Sequence, residues 1–333
     1  MYTQQRYILM TLDPVHVGTG GYRLGRVDLS IVREPGTGLP KIPGTSLSGA
    51  TRQYAAYRYK NPQCAGQGQG SGEGESEKKG HCRDPHCPIC YTFGYMTGPE
   101  GGHAGTVSIA DARLLLFPVR SMAGPVWVTT AERLEEAEFT VDETTPSGDS
   151  VVTTLTDWPA DKPLNLGWLL LDIAGSAEVI PPSGAIDAEK QSIWETIAEH
   201  IVLVAPKLFG QIVNSNLEVR TSVSIDPATG AADSGKLFTY EAIPRAAWLW
   251  LDVVEDDYRQ GREDSLTPWP VSKTYDKQTE RHNAGLSLGE TWSAPLDVMR
   301  AGLRLTEQLG VGGMGTRGFG RVKLVGDWEV DRG

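Results

Sequence analysis

Two groups of residues in this chain have the types and spacing for chemistry. The first is a set of four cysteines. Cys82, Cys87 and Cys90 fall within HCRDPHCPIC, and Cys64 lies upstream. Four thiols in this pattern suit a tetrahedral zinc, with His81 and His86 as alternative nitrogen ligands. In a reducing compartment such spacing suggests metal before disulfide. No glutamate sits in a His-x-Glu context here, and hydrolytic zinc keeps an open coordination position, so the expected site is structural. The second group surrounds Asp28, at the end of HVGTGGYRLGRVD (His16 to Asp28), with Arg23, Arg26 and Arg33 nearby. Neighbouring positive charge keeps a carboxylate ionised. An ionised Asp beside RNA could hold a divalent metal or take the proton of a 2′-hydroxyl. The plain alternative is an ion pair with one of those arginines. His16 has a plain alternative too, as a hydrogen-bonded loop histidine.

The glycine-rich loops add phosphate-binding potential. GTGGYRLG is not a Walker A loop, since no Gly-Lys-Ser/Thr follows, and it fits the dinucleotide fingerprint only loosely. A second loop near the C-terminus, GVGGMGTRGFG, carries Arg317, with Arg321 just after it; both could contact phosphates. Between the loops, Pro43 and Gly44 precede a helix capped by Thr45 or Ser46 and running to about Tyr59. Leu47, Ala50, Tyr54 and Tyr57 share one face at helical spacing, and Arg52 falls on or beside the polar side. Free N–H groups and the dipole make such a helix start an expected anion site.

The elements that must position these groups are read from pattern. Arg6 to Leu12 and Asp28 to Val32 read as short strands. Asn61 to Gly80 collapses to polar residues and glycine, too poor in apolar surface to fold by itself, and is expected to be a mobile insertion. Gly105 to Val119 returns to strand-like alternation, and Ala131 to Pro182 reads as acidic and irregular. Asp187 to Val204 has a helical pattern, with Ile193, Trp194, Ile197, Ile201 and Val204 as a buried stripe and Pro206 as its stop. Arg220 to Pro244 reads as a hairpin around the turn PATG. Pro295 to Leu309 is an amphipathic helix, after which the second glycine-rich loop runs into a strand. Two strand–helix–strand halves suggest a duplicated or ferredoxin-like α+β arrangement.

The chain has 333 residues and a net charge of −11. That total disfavours a nucleic-acid binder, but its distribution does not. His16 to Lys60 carries seven Lys/Arg against two Asp/Glu, whereas Val141 to His200 carries two against eleven. No run approaches the roughly 20 apolar residues of a membrane helix, and the N-terminus lacks a secretory pattern. The expected location is cytoplasmic, with no membrane partner.

Six motifs, in order, carry a resemblance: HVGTGGYRLGRVD, IVREPGTGLPKIPGTSLSGATR (Ile31 to Arg52), CPICYTFG (Cys87 to Gly94), DARLLLFPVRS (Asp111 to Ser121), SIDPATG…LFTYEAIP (Ser224 to Pro244) and GVGGMGTRGFGRV (Gly310 to Val322). The chain resembles the RAMP superfamily, and within it the backbone subunit of type III CRISPR effector complexes. It is more similar to the Cmr branch (subtype III-B) than to the Csm counterpart. The resemblance implies one α+β domain over 1–333 with a ferredoxin-like (RRM-related) core. A glycine-rich, zinc-binding insertion would occupy 61–104 and a thumb-like β-hairpin 213–244. It implies a filament of copies of the chain, together with other type III subunits, along a CRISPR guide RNA. The guide, not the protein, reads the complementary target RNA, so protein contacts fall on backbone and 2′-hydroxyls. Implied RNA-binding residues are Lys41, Ser46, Arg52, Gly313, Arg317 and Tyr240. The implied catalytic residue is Asp28, cutting target RNA with a divalent metal (Mg or Mn), with His16 and Glu241 secondary; Cys64, Cys82, Cys87 and Cys90 would hold zinc. Ser48 stands where the family often has lysine. A non-catalytic RNA scaffold, and a zinc-containing binding protein of another kind, are the competing readings.

Overall fold

The computed structural model describes residues 2–20, 27–66, 82, 87–96, 102–142, 146, 148–159, 161–259 and 292–330. Arg23, Arg26, His81, His86 and residues 67–80 of the expected polar insertion lie outside them. The fold is mixed α+β, built on one large sheet.

Four long strands form its centre: β1 (Thr3–Thr11), β6 (Ala112–Ser121), β16 (Trp248–Glu255) and β17 (Val322–Glu329), in the order β6-β16-β1-β17. All three pairings are antiparallel. Helix α1 (Gly44–Arg58) lies in sequence between β1 and β6, and α6 (Pro295–Arg304), continued by the short α7 (Thr306–Leu309), between β16 and β17. The two longer helices pack together so closely that a Cβ on Gly302 would stand 2.1 Å from the Thr51 carbonyl oxygen. Short β2 (Lys41–Ile42) pairs with β6, and β5 (Val107–Ile109) with β16. Beyond β6 the sheet continues through β7 (Gly124–Thr129), β13 (Ile201–Val204), β9 (Ser150–Thr153), β11 (Leu169–Ser176) and β10 (Leu164–Leu166). The central strands are covered on both faces. Tyr7, Leu9, Leu249 and Leu251 pack with Leu47 and Met299, whereas Ile8, Trp248 and Trp250 pack with Trp194 and Ile197. Two buried faces explain why WLWLDVV runs apolar without alternation.

That absence of alternation hid strands from pattern reading. The helix expected over Asp187 to Val204 is confined to a 3-10 turn (Ala188–Lys190) and α4 (Gln191–Ala198). Ile201–Val204 is strand β13, buried at every position, because a short β-branched run belongs at a sheet centre and period cannot distinguish the two. Pro206 does not stop that helix. It is the first residue of α5 (Pro206–Ser215), where its missing N–H costs nothing. The stretch expected to be irregular, Ala131 to Pro182, holds α3 (Ala131–Glu136), capped by the Thr130 side chain, and strands β8 (Thr140–Asp142), β9, β10, β11 and β12 (Glu178–Ile180). Asp28 to Val32 is not a strand but a segment of isolated bridges, Leu29 to Tyr240 and Ile31 to Gly18. The expected hairpin is present as a separate two-stranded sheet, β14 (Glu218–Ile225) and β15 (Ala232–Ala242). Its turn is closed by Asp226, which accepts from the Ala228 N–H and the Thr229 hydroxyl. In the cysteine region α2 (Pro88–Phe93) leads into the small pair β3 (Tyr95–Met96) and β4 (Gly102–His103).

Candidate active site and cysteine centre

The base of the hairpin collects most of the catalytic and RNA-binding candidates read from the sequence. Residues 28–31 lie along β15: Leu29 donates its N–H to Thr239 O (3.0 Å), and Leu29 O accepts from Glu241 N–H (3.2 Å). This places Asp28 beside Thr239. Asp28 Oδ2 accepts the Thr239 N–H (2.7 Å) and hydroxyl (2.9 Å), and the Asp28 N–H donates back to Thr239 Oγ1 (3.2 Å). The side chain is exposed. Its carboxyl is held below the ordinary aspartate range, first by the Thr239 backbone N–H and then by its hydroxyl. Among the described residues no arginine pairs with Asp28.

Arg33 pairs with Glu241 instead. Its two Nη atoms donate to Glu241 Oε1 (2.5 Å) and Oε2 (2.9 Å), and Oε1 also accepts the Ile31 N–H (3.0 Å). Arg33 Nε reaches Asn214 on α5 at 3.1 Å. Glu241, expected as a secondary catalytic residue, has both oxygens engaged and a buried side chain, and through Arg33 and Ile31 it links the 28–33 segment to the hairpin and to α5. His16, also buried, donates from Nδ1 to the Glu241 carbonyl oxygen at 2.7 Å. A carbonyl only accepts, so the neutral ring keeps its lone pair on Nε2. The second glycine-rich loop closes over this histidine. Gly313 N–H donates to His16 O (2.8 Å), and Gly312 sits at φ +86°, where a Cβ would stand 2.6 Å from that oxygen. Tyr240 is buried edge-on to both His16 and Phe319. Arg220 lies over Phe319 and exposed Arg317 over Phe238, so two cations line the outer edge of this aromatic group.

The remaining expected contacts lie apart. Lys41 is held between Glu34 Oε2 (2.8 Å) and Asp111 Oδ2 (2.6 Å), which neutralises its charge within the chain. The other Asp111 oxygen accepts the Gly44 N–H at 2.7 Å, so a carboxylate already occupies the start of α1 that was expected to take phosphate. Neither Thr45 nor Ser46 caps that helix. Arg52 Nε donates to Cys64 O (2.8 Å) and faces the cysteine region. Ser46 lines a cleft of about 300 Å³ with Tyr54, Gly310, Gly315 and Phe319, which connects α1 to the second glycine-rich loop. Sequence reading overlooked Thr239, Arg220 and Phe319. Only the position of Thr239 inside LFTYEAIP, next to two nominated residues, could have drawn notice to it.

Cys64, Cys82, Cys87 and Cys90 come together, all four Sγ atoms within 4.8 Å of one another. Cys64 Sγ stands 3.8 Å from Cys87 Sγ and 3.6 Å from Cys90 Sγ. Thiolates at about 2.3 Å from a tetrahedral zinc stand about 3.8 Å apart, so the donor set fits that ion. Contact with Cys64 raises the Cys87 thiol and lowers that of Cys90. The centre packs on α1 and α6 through Ala55, Ala56, Tyr59 and Val298.

The RAMP superfamily model matches residues 8–323, and the chain belongs to that superfamily. Within it, the chain is similar to the CRISPR system Cmr endoribonuclease Cmr4 of Pyrococcus furiosus, with 28% identity over 249 residues, 71% of this chain and 76% of that protein. Its fold matches a chain of the type III-B Cmr-beta complex in the apo state (TM-score 0.57, 14% identity, 99% of this chain and 98% of that one). It also matches oligomeric Cmr4 from Pyrococcus furiosus (TM-score 0.52, 20% identity, 99% of each chain).

Proposed function

We propose that this chain is a backbone subunit of a type III-B CRISPR ribonucleoprotein. It holds the guide RNA, stacks with further copies of itself and with other effector subunits, and cuts complementary target RNA through Asp28. The observation that carries the proposal is the exposed carboxylate of Asp28, fixed against the base of a projecting hairpin in a chain of this superfamily. The hairpin is read as the thumb that kinks the guide–target duplex. The order β6-β16-β1-β17, with one helix inside each strand pair of the sequence, supports a ferredoxin-like core, and the thiol cluster supports a zinc-stabilised insertion. A cytoplasmic location accords with this role; among the described residues no helix is long and apolar enough to cross a membrane.

Asp28 stays ionised well below neutral pH, because its Thr239 hydrogen bonds favour the charged form. A carboxylate so held is a poor proton acceptor near neutrality and a persistent anion. Oδ2 is engaged by Thr239, and Oδ1 takes no hydrogen bond from another described residue. One such oxygen suits a magnesium-like cation, which takes one or two carboxylates and draws its other ligands from phosphates and water. A cation bound there would offset charge developing on the scissile phosphate. The hairpin splays the target nucleotide so that its 2′-oxygen can align with the adjacent phosphate. Arg317 offers charge to the RNA backbone at the same edge, where Arg220 is paired with Glu218. Gly313 and Tyr240 shape the floor beneath it, and Ser46 lines the neighbouring cleft.

The test is Asp28→Ala in the fully assembled complex. It is expected to bind target RNA with unchanged affinity and to fail to cut it. Retained cutting at the repeat spacing would refute the catalytic role and leave a scaffold.

A further inference from the structure

The carboxylate proposed to cut RNA does not depend on its own loop alone for its orientation. Its side-chain hydrogen bonds from other described residues come from one residue, Thr239, which lies 211 positions away on β15. The contact is reciprocal. The Thr239 hydroxyl donates a hydrogen bond to Asp28 Oδ2 and accepts one from the Asp28 N–H, while the Thr239 backbone N–H donates to the same Oδ2. Two donors on Oδ2 leave Oδ1 with no hydrogen bond from another described residue. A β-branched residue on a strand has few side-chain rotamers, so the hydroxyl is presented in a fixed direction. Thr239 in turn is set by register: it stands opposite Thr221 on β14 and between Phe238 and Tyr240, which pack toward Arg317 and Phe319.

We infer that Thr239 is a positioning residue for cleavage: it selects Asp28 Oδ1 as the oxygen offered to the RNA and couples that carboxylate mechanically to the hairpin. This inference rests on the assignment of Asp28 given above. It means that the seating of the hairpin in the duplex and the aim of the carboxylate are one event, since a single residue belongs to both. RNA bound without the hairpin seated would meet a misdirected Asp28.

The test compares Thr239→Val, Thr239→Ser and Asp28→Ala, each assembled into the complete complex with guide RNA. Valine keeps the shape and the backbone donor and removes the hydroxyl; serine keeps the hydroxyl. Thr239→Val is expected to bind target RNA with unchanged affinity and KM and to cut about tenfold to a hundredfold more slowly at saturating target. Thr239→Ser is expected to stay within a few-fold of the natural chain. Wild-type cutting by Thr239→Val, with Asp28→Ala inactive, overturns this inference and leaves the role of Asp28 standing. Loss of assembly or target affinity in Thr239→Val, or a serine variant as slow as the valine one, makes Thr239 merely structural and also overturns it. Cutting by Asp28→Ala removes both readings together.

Discussion

Charge pairing separates the acidic residues of the site into distinct roles. Glu241 belongs to β15 and Asp28 lies beside that strand, but Asp28 is exposed and bonded to neutral donors, whereas Glu241 is buried against Arg33. Glu241 accepts three hydrogen bonds on its two oxygens within the chain, and removing its charge strands the partner arginine. Glu241→Gln keeps an acceptor for the Ile31 N–H but loses the ion pair. It is expected to lower stability by about 1–3 kcal/mol, read from a urea unfolding midpoint, with target cutting preserved at temperatures where the variant is folded. Undiminished stability combined with abolished cutting would return Glu241 to a chemical role. The basic residues show the same effect in reverse. Lys41 and Arg33, two of the seven cations between His16 and Lys60, are consumed by carboxylates of this chain, so the local positive excess seen in the sequence is smaller at the surface.

Tyr54 on α1 donates to Gly310 O at 2.6 Å, where the second glycine-rich loop begins, and helices α1 and α6 pack against each other. The contact is tightest at Gly302, whose missing Cβ admits the Thr51 carbonyl. Glycine here serves close approach of two backbones. Gly302→Ala must push the helices apart and is expected to cost about 1–3 kcal/mol, as overpacked sites do, measured by denaturant unfolding at constant slope. An unchanged midpoint would mean that the helices have room to separate. Gly312 serves differently: its φ of +86° and its closeness to the His16 carbonyl are both met by the lack of a side chain. Glycines that read from sequence as generic turn material thus have separate jobs, one spacing two helices and one shaping the floor beside the hairpin.

The described core divides into the two faces of the large sheet, a small group of Tyr240, Ala242 and Phe319 at the hairpin base, and a cluster around the cysteines. The cysteine cluster is short of apolar mass, and a bound zinc would supply the cross-links it lacks. The purified chain is expected to hold about one zinc. Chelation is expected to lower its melting temperature and to open 61–104 to protease, while the strand signal in circular dichroism persists. A chain that carries no zinc, or that melts identically after chelation, would show that the thiols act without it. Features carried by local chemistry were legible in the sequence: the clustered cysteines, the hairpin with its PATG turn, the amphipathic Pro295 helix, and an ordered motif set sufficient to place the chain in its superfamily. These depend on residues near one another in the chain, where spacing and turn propensity act directly. What only the tertiary structure decided were the partners: Thr239 for Asp28, Arg33 for Glu241, Asp111 for the start of α1 and for Lys41, and a sheet centre for the Ile201 and Trp248 runs. Hydrogen bonds and ion pairs go to whichever group the fold brings within about 3 Å, and a strand covered on both faces loses the alternation that would announce it. Asp28 could be nominated from its neighbours in sequence, but its hydrogen-bond partner lies on a distant strand.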